Sequence, residues 1–327
     1  MVGKFVSRHG EVVVMERGGV VGNGRAPFTG FVRTAAAEDG RWTDYQKWKG
    51  KASVAYFRDK VAIVTGGASG IGRALCEELS RKGAIVLVAD INGEGAKQVA
   101  SAITATGGRA HRACLDVSQS EAVQKLVDET VATHGRLDYM FNNAGIGIIG
   151  DARDMELEHW RQIVDVNLWG VIYGTVSAYQ VMVRQGFGHI VNTASGGGLI
   201  PLPMASAYAT TKFGIVGLST SLRIEAAGLG VKVSVVCPGG IQTDIIETAT
   251  LIKINREKVM PKLPAMALMD ATKCARIVLW GVVRNKAIIT VTAFARLAWW
   301  LYRFQPALLT PIVSKIAQEF RVLREET

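Results

Sequence analysis

The stretch SAYATTKFG at residues 206–214 sets Tyr208 and Lys212 four positions apart. Residues at i and i+4 share one face of a helix, offset by only about 40°. A phenol with its ordinary pKa near 10 is a poor proton acceptor at neutral pH. An ammonium held beside it favours the phenolate and lowers that value. The pair is therefore expected to be an acid/base and its tuning cation, with Tyr208 moving the proton. Read singly, Tyr208 is a packing residue and Lys212 a solvated charge. Ser195, at the end of an apolar run, can hold a substrate oxygen as charge develops on it. Asn167, inside the helical pattern of DVNLWG, is a mediocre helix former placed where a polar group needs a reason.

A second constellation begins at TGGASGIG, residues 65–72, between a β-branched run and a helical pattern. Glycine serves where a chain turns tightly and where backbone must approach a pyrophosphate at a helix N-terminus. Gly66, Gly70 and Gly72 stand at those positions. Asp90 follows about 20 residues later, at the end of the second apolar run, in position to accept from adenosine ribose hydroxyls and to repel a 2′-phosphate. No Arg or Lys follows it directly in ADINGEG, so NAD is favoured over NADP as cofactor. Asp116 in LDV either reaches the adenine amino group or caps the next turn.

These residues need elements to position them. Apolar strands are expected at KVAIVTGG, AIVLVAD (84–90), RAHRACLDV, LDYMFNNAG, GHIVNTAS (188–195), VKVSVVCPGG (231–240) and KAIITVT (286–292). Helical patterns alternate with them: one with apolar spacing at Ile71, Leu75 and Leu79 that stops at Gly83, one with Ser120 as N-cap, and a long one from about Glu156 to Arg184. Continuous apolar strands alternating with helices predict a parallel sheet covered on both faces. The expected fold is α/β, a single doubly wound Rossmann domain with a parallel seven-stranded sheet over residues 59–292. A flexible N-terminal extension (1–58) and a C-terminal helical tail (293–327) are expected to flank it.

Taken together, TGGASGIG, NNAG (142–145), Asn167, Ser195, YATTK and PGGIQT (238–243) resemble the short-chain dehydrogenase/reductase family, over about residues 59–245. The resemblance implies an oxidoreductase moving a hydride between NAD(H) and an alcohol or ketone, with Asn167, Ser195, Tyr208 and Lys212 as the catalytic set. It implies that Asn167 holds a water linking Lys212 to solvent, and that Lys212, with Tyr208, also meets the nicotinamide ribose. By matching motif positions, Ser69 and Ile71 join the glycines at the pyrophosphate. Val117 joins Asp116, while Asn143, Ala144 and Gly145 line the adenosine side. Pro238, Gly239, Ile241 and Thr243 serve the nicotinamide end. The alternatives are an NADP-dependent carbonyl reductase and a nucleotide-binding scaffold that has lost turnover; the presence of all four catalytic residues counts against the latter.

Composition and charge narrow the partners. Of the net +10, residues 1–58 carry +5 and residues 287–327 carry +2, so the middle holds no basic stripe for a nucleic acid. Cys76, Cys114, Cys237 and Cys274 form no CxxC pair and read as buried free thiols, without metal or disulfide. The run VVVM at 12–15 is too short for a secretory signal, which leaves a cytoplasmic location expected. The loop GGGLIPLPMAS and residues 241–270 (Ile241, Ile245, Ile246, Leu251, Ile252, Met260, Leu263, Met266, Leu268, Met269) are expected to wall a small lipophilic substrate, the latter as a lid. In the tail, Trp299, Trp300, Tyr302 and Phe304 beside Arg296 and Arg303 suit either a membrane surface or a homo-oligomer contact.

Overall fold

The computed structural model describes residues 3–6, 12–15, 55–245, 247–259 and 268–322. The chain divides into two compact units, Met1–Arg41 and Trp42–Thr327. In the first, β1 (Gly3–Val6) pairs antiparallel with β2 (Val12–Met15), so the VVVM run is a strand. The expected flexibility of the extension falls largely on residues outside those described.

The second unit is built on seven strands: β3 (Val61–Thr65), β4 (Ile85–Asp90), β5 (Arg109–Cys114), β6 (Tyr139–Asn142), β8 (Gly188–Thr193), β9 (Val231–Cys237) and β11 (Ile288–Thr290). All pairings are parallel, in the order β11-β9-β8-β6-β3-β4-β5. Successive side chains of a strand point to opposite faces. Ala62, Val64, Val86 and Val88 accordingly enter one core, and Val61, Ile63, Leu87 and Ala89 the other. The first core is covered by α1 (Gly70–Arg81), α2 (Gly93–Ala105) and α8 (Ala271–Val283). The second is covered chiefly by α3 (Ser120–His134) and α5 (Gly170–Gln185). Burial on both faces explains why these strands read as continuous apolar runs. β5 is the exception, an edge strand with mostly exposed residues.

The sheet order reverses beside β3, which has β4 on one side and β6 on the other. Such a switch point opens a crevice at the carboxyl ends of the two strands. The candidate residues converge there.

Several local expectations are corrected. The helix expected over 156–184 is α4 (Leu157–Val164), a π-helical turn (Asp165–Trp169) and α5. Ser120 is the first helical residue, preceded by Gln119 as N-cap. Cys114 is exposed, because its strand is the sheet edge. A two-stranded parallel pair, β7 (Ile148–Gly150) with β10 (Thr250–Ile252), has no counterpart in the sequence reading, three residues being too short to show a period. Between them lie α6 (Ser206–Glu225) and β9; α7 (Arg256–Val259) follows β10. Ile246, Met260, Leu263 and Met266, expected in the lid, lie outside the described residues. The tail folds as α9 (Ala293–Phe304) and α10 (Pro306–Arg321).

Candidate active site

The glycine turn joins β3 to α1. Gly66 (φ 66°) and Gly70 (φ 50°) occupy the left-handed region that favours glycine. A Cβ on Gly72 would lie 1.9 Å from the Gly66 carbonyl oxygen, so the helix can start this close to the turn only without one. The N-cap of α1 is Ser69, whose side chain makes no capping bond, and its first turn carries no acid. A helix N-terminus left uncapped and free of acids is a seat for an anion. Thr243 lies across Gly70, with methyl contact at 3.2 Å from where a Cβ would sit, and Ile71 packs against the first core.

Asp90 closes this end. One carboxylate oxygen accepts from the Ala68 amide at 3.0 Å and the other from Asn92 at 2.9 Å. Both a loop-fastening and a turn-capping role are thus present in one side chain. Asp116 makes turn-capping contacts: its Oδ1 accepts from the Ser118 amide (2.9 Å) and hydroxyl (2.7 Å). Val117 is buried against Gly170.

Across the switch point, Asn143 donates from Nδ2 to the carbonyl of Thr65 at 3.1 Å. Its amide and that of Ala144 both reach Thr65 Oγ1, at 2.9 and 3.1 Å. Asn143 therefore ties the end of β6 to the glycine turn, and Gly66 can approach Ala144 because neither needs room for a larger group. Gly145, expected on the adenosine side, borders two catalytic candidates: a Cβ there would be 3.1 Å from Asn167 Oδ1 and 3.5 Å from Lys212 Nζ.

The catalytic candidates gather around α6. Lys212 is buried, and its Nζ donates to the Thr193 carbonyl at 3.1 Å while lying 5.4 Å from the centre of the Tyr208 ring. Tyr208 is half-buried beside Ser195, whose Oγ accepts from the Gly197 amide at 3.1 Å. Asn167 is fully buried in the π-helical turn, an irregularity found often at functional sites. Its Oδ1 accepts from the Ile146 amide (2.8 Å) and its Nδ2 donates to the Ile146 carbonyl (2.9 Å). The side chain expected to hold a water is thus paired with backbone, keeping one oxygen lone pair in reserve.

Burial works against the expected tuning of Tyr208 by Lys212. Burial pushes the phenol above its ordinary value, and the Ser195 hydrogen bond is what pulls it back. Burial also pulls Lys212 down to about 8, with the neighbouring Cys237 thiol acting the other way. Desolvation opposes both charged forms.

In the remaining segment, the Pro238 carbonyl accepts from Gly196 at 2.6 Å, fixing the loop after Ser195. Gly239 packs against Thr292, and the Ile241 side chain turns into the first core. Sequence reasoning missed Thr65 and Thr193, which fasten Asn143 and Lys212. Their signal was present: each is a β-branched hydroxyl at the carboxyl end of a strand entering the crevice.

With this geometry in view, the comparisons are direct. The family model for short chain dehydrogenase matches residues 60–251. The chain belongs to the short-chain dehydrogenase/reductase family. It is similar to a putative oxidoreductase, SadH, of Mycobacterium tuberculosis, at 36% identity over 72% of this chain and 87% of the relative. A cyclohexanol dehydrogenase of Acinetobacter sp. is 37% identical over 61% of this chain and 81% of its own. Among solved structures, a short-chain dehydrogenase/reductase from Burkholderia phymatum in complex with NAD superposes with a TM-score of 0.71 at 26% identity, covering 77% of this chain and 95% of that one. This short-chain dehydrogenase/reductase is therefore an NAD(P)-dependent oxidoreductase acting on a small molecule. Its glycine turn, uncapped helix start and Asp90 fit a nicotinamide dinucleotide. No described helix is long and apolar enough to cross a membrane.

Proposed function

We propose that the enzyme interconverts a lipophilic secondary alcohol and its ketone, with NAD as hydride carrier and Tyr208 as the proton-transferring group. The observation that carries this reading is the convergence of Ser195, Tyr208 and Lys212 at one strand end, where Lys212 Nζ reaches the Thr193 carbonyl and lies 5.4 Å from the centre of the Tyr208 ring. The dinucleotide, when bound, supplies the acceptor or donor of the hydride. Ser195 holds the substrate oxygen and, through its contact with Tyr208, aligns that oxygen with the phenol. Tyr208 takes the hydroxyl proton in oxidation and returns it in reduction. Lys212, anchored on Thr193, places a positive charge beside the phenol as the proton leaves. Asn167 fixes the Ile146 backbone, and with it the loop bordering Lys212.

NAD over NADP is supported by Asp90, whose carboxylate opposes a 2′-phosphate. An apolar substrate is supported by Ile146, Met155, Trp160 and Ile252, which share with Tyr208 one apolar cluster around Ile148, Ile163 and Ala207. The similarity to a cyclohexanol dehydrogenase and to a levodione reductase of Leifsonia aquatica supports alcohol and carbonyl chemistry. The homo-oligomer proposed with it has exposed apolar surface available on Trp169, Val176 and Phe213, testable by sedimentation.

A spectrophotometric screen of NADH formation against lipophilic secondary alcohols tests the reading, run in parallel with NADP. Tyr208→Phe is expected to lower kcat by about a hundred- to ten-thousand-fold with cofactor affinity retained. Turnover that survives this change refutes the assignment. Asp90→Ala is expected to narrow the preference for NAD, and a wild-type preference for NADP would overturn the cofactor choice.

A further inference from the structure

The family match ends at residue 251, and the two tail helices beyond it carry a surface that the active site does not use. On α9, Phe294, Leu297, Trp300 and Phe304 are each 57–60% exposed. At 100° per residue they fall within an arc of about 120°. The opposite face is fixed inward by buried Ala295 and Ala298, so the stripe has no freedom to turn away from solvent. On α10, Leu308, Ile312 and Ile316 are also exposed. This sixteen-residue helix buries none of its residues and contains Pro311, which removes a helix N–H and crowds the preceding turn. Most helical stability in proteins comes from packing an apolar face, and Leu308, Ile312 and Ile316 leave part of that surface on α10 to solvent.

Charge decides which counterpart fits. The two helices carry Arg296, Arg303, Lys315 and Arg321 against a single carboxylate, Glu319. In a two-fold interface the same patch meets itself, which would set these cations against their own copies. An anionic lipid surface complements them instead. Arg303 lies over the Trp299 ring at 5.9 Å, a pairing of aromatic and cation suited to the headgroup region. Neither helix is long and apolar enough to span a bilayer.

We propose that α9 and α10 dock the enzyme flat on an anionic membrane surface, with Phe294, Leu297, Trp300 and Phe304 entering the headgroup–acyl boundary. The far end of α10 seats Phe320 against Met204 and Ile254, so docking also brings the loop preceding Tyr208 to the membrane. The proposal does not depend on the substrate.

The test is flotation of the full chain with phosphatidylcholine vesicles, with and without phosphatidylglycerol. Flotation is expected with phosphatidylglycerol alone and is expected to weaken as salt rises. Leu297→Glu combined with Trp300→Glu is expected to lower the bound fraction's partition coefficient by more than about tenfold, since it removes two inserted apolar side chains. Both residues are exposed, and an unchanged circular dichroism spectrum would confirm that the variant folds. Failure to float with phosphatidylglycerol, or flotation indifferent to the double variant, overturns the proposal. So does a double variant that sediments as a smaller species when the wild type binds no vesicles, which would assign the face to a second copy of the chain.

Discussion

Burial moves Tyr208 and Lys212 toward their uncharged forms, the phenol upward and the ammonium down to about 8. A lysine with a folded pKa below its unfolded value of 10.5 holds fewer protons folded than unfolded between the two. Stability contributed by Lys212 therefore rises with pH across about 8 to 10.5. Below that window both states are protonated, and the buried ammonium costs about 3 kcal/mol. Lys212→Met is expected to stabilise the cofactor-free enzyme at pH 7 by up to that amount while abolishing turnover. Denaturant titrations of both proteins should show the gain shrinking as pH approaches 10.5. A gain independent of pH would mean that Lys212 is not held in this depressed state. The same desolvation explains why Ser195 matters to Tyr208 beyond holding substrate: its hydrogen bond is the contact that offsets burial.

At the scale of elements, the crevice depends on strand ends fastened to one another. The glycine turn leaves no room at Gly72, where a methyl would meet the Gly66 carbonyl. Gly72→Ala is expected to cost about 2 kcal/mol of stability by overpacking. It should also weaken cofactor binding more than it lowers the unfolding temperature would explain, which cofactor titration and thermal unfolding together can show. A second device joins β8 to β9. Ser234 donates to the Lys286 carbonyl, so it accepts from His189 Nε2–H at 2.8 Å and leaves His189 Nδ1 buried without a partner among the described residues. Burial, with Lys232 and Arg223 adding to it, pushes His189 down to about 3. Between pH 6.5 and about 3 the unfolded chain binds a proton that the folded chain refuses, so stability falls with acidification by up to about 1.4 kcal/mol per pH unit. His189→Gln is expected to flatten that part of the acid unfolding curve; an unchanged slope would exclude His189 as its source.

At the scale of the molecule, the strand order brings residues from every part of the second unit to one crevice, and the tail reaches back toward it. Phe320, near the end of α10, packs on Met204 and Ile254, four residues before Tyr208 in the first case. Arg321 adds an ion pair to Asp151 at 3.9 Å. Phe320→Ala is expected to speed amide hydrogen exchange across residues 199–205 while leaving β3 and β6 protected. Equal protection of that loop in both proteins would show that the tail does not steady it.

Local pattern by itself determined a good deal. Seven strands, the glycine turn, and the i, i+4 relation of Tyr208 and Lys212 were legible because residue type and spacing encode backbone conformation and helix face directly. Ser195 and Asn167 were legible as oddities, a hydroxyl ending a strand and an amide inside a helix. Tertiary structure decided what those side chains do for one another. That Asn143 binds the Thr65 carbonyl, that Asn167 is paired with Ile146, and that Gly145 borders Lys212 follow from which strand ends become neighbours. The β7–β10 pair and the seat of Phe320 are likewise contacts between distant segments. Spacing alone points to a lowered Tyr208 pKa while burial raises it, because proximity of a cation is visible in a helix but desolvation is a property of the assembled core.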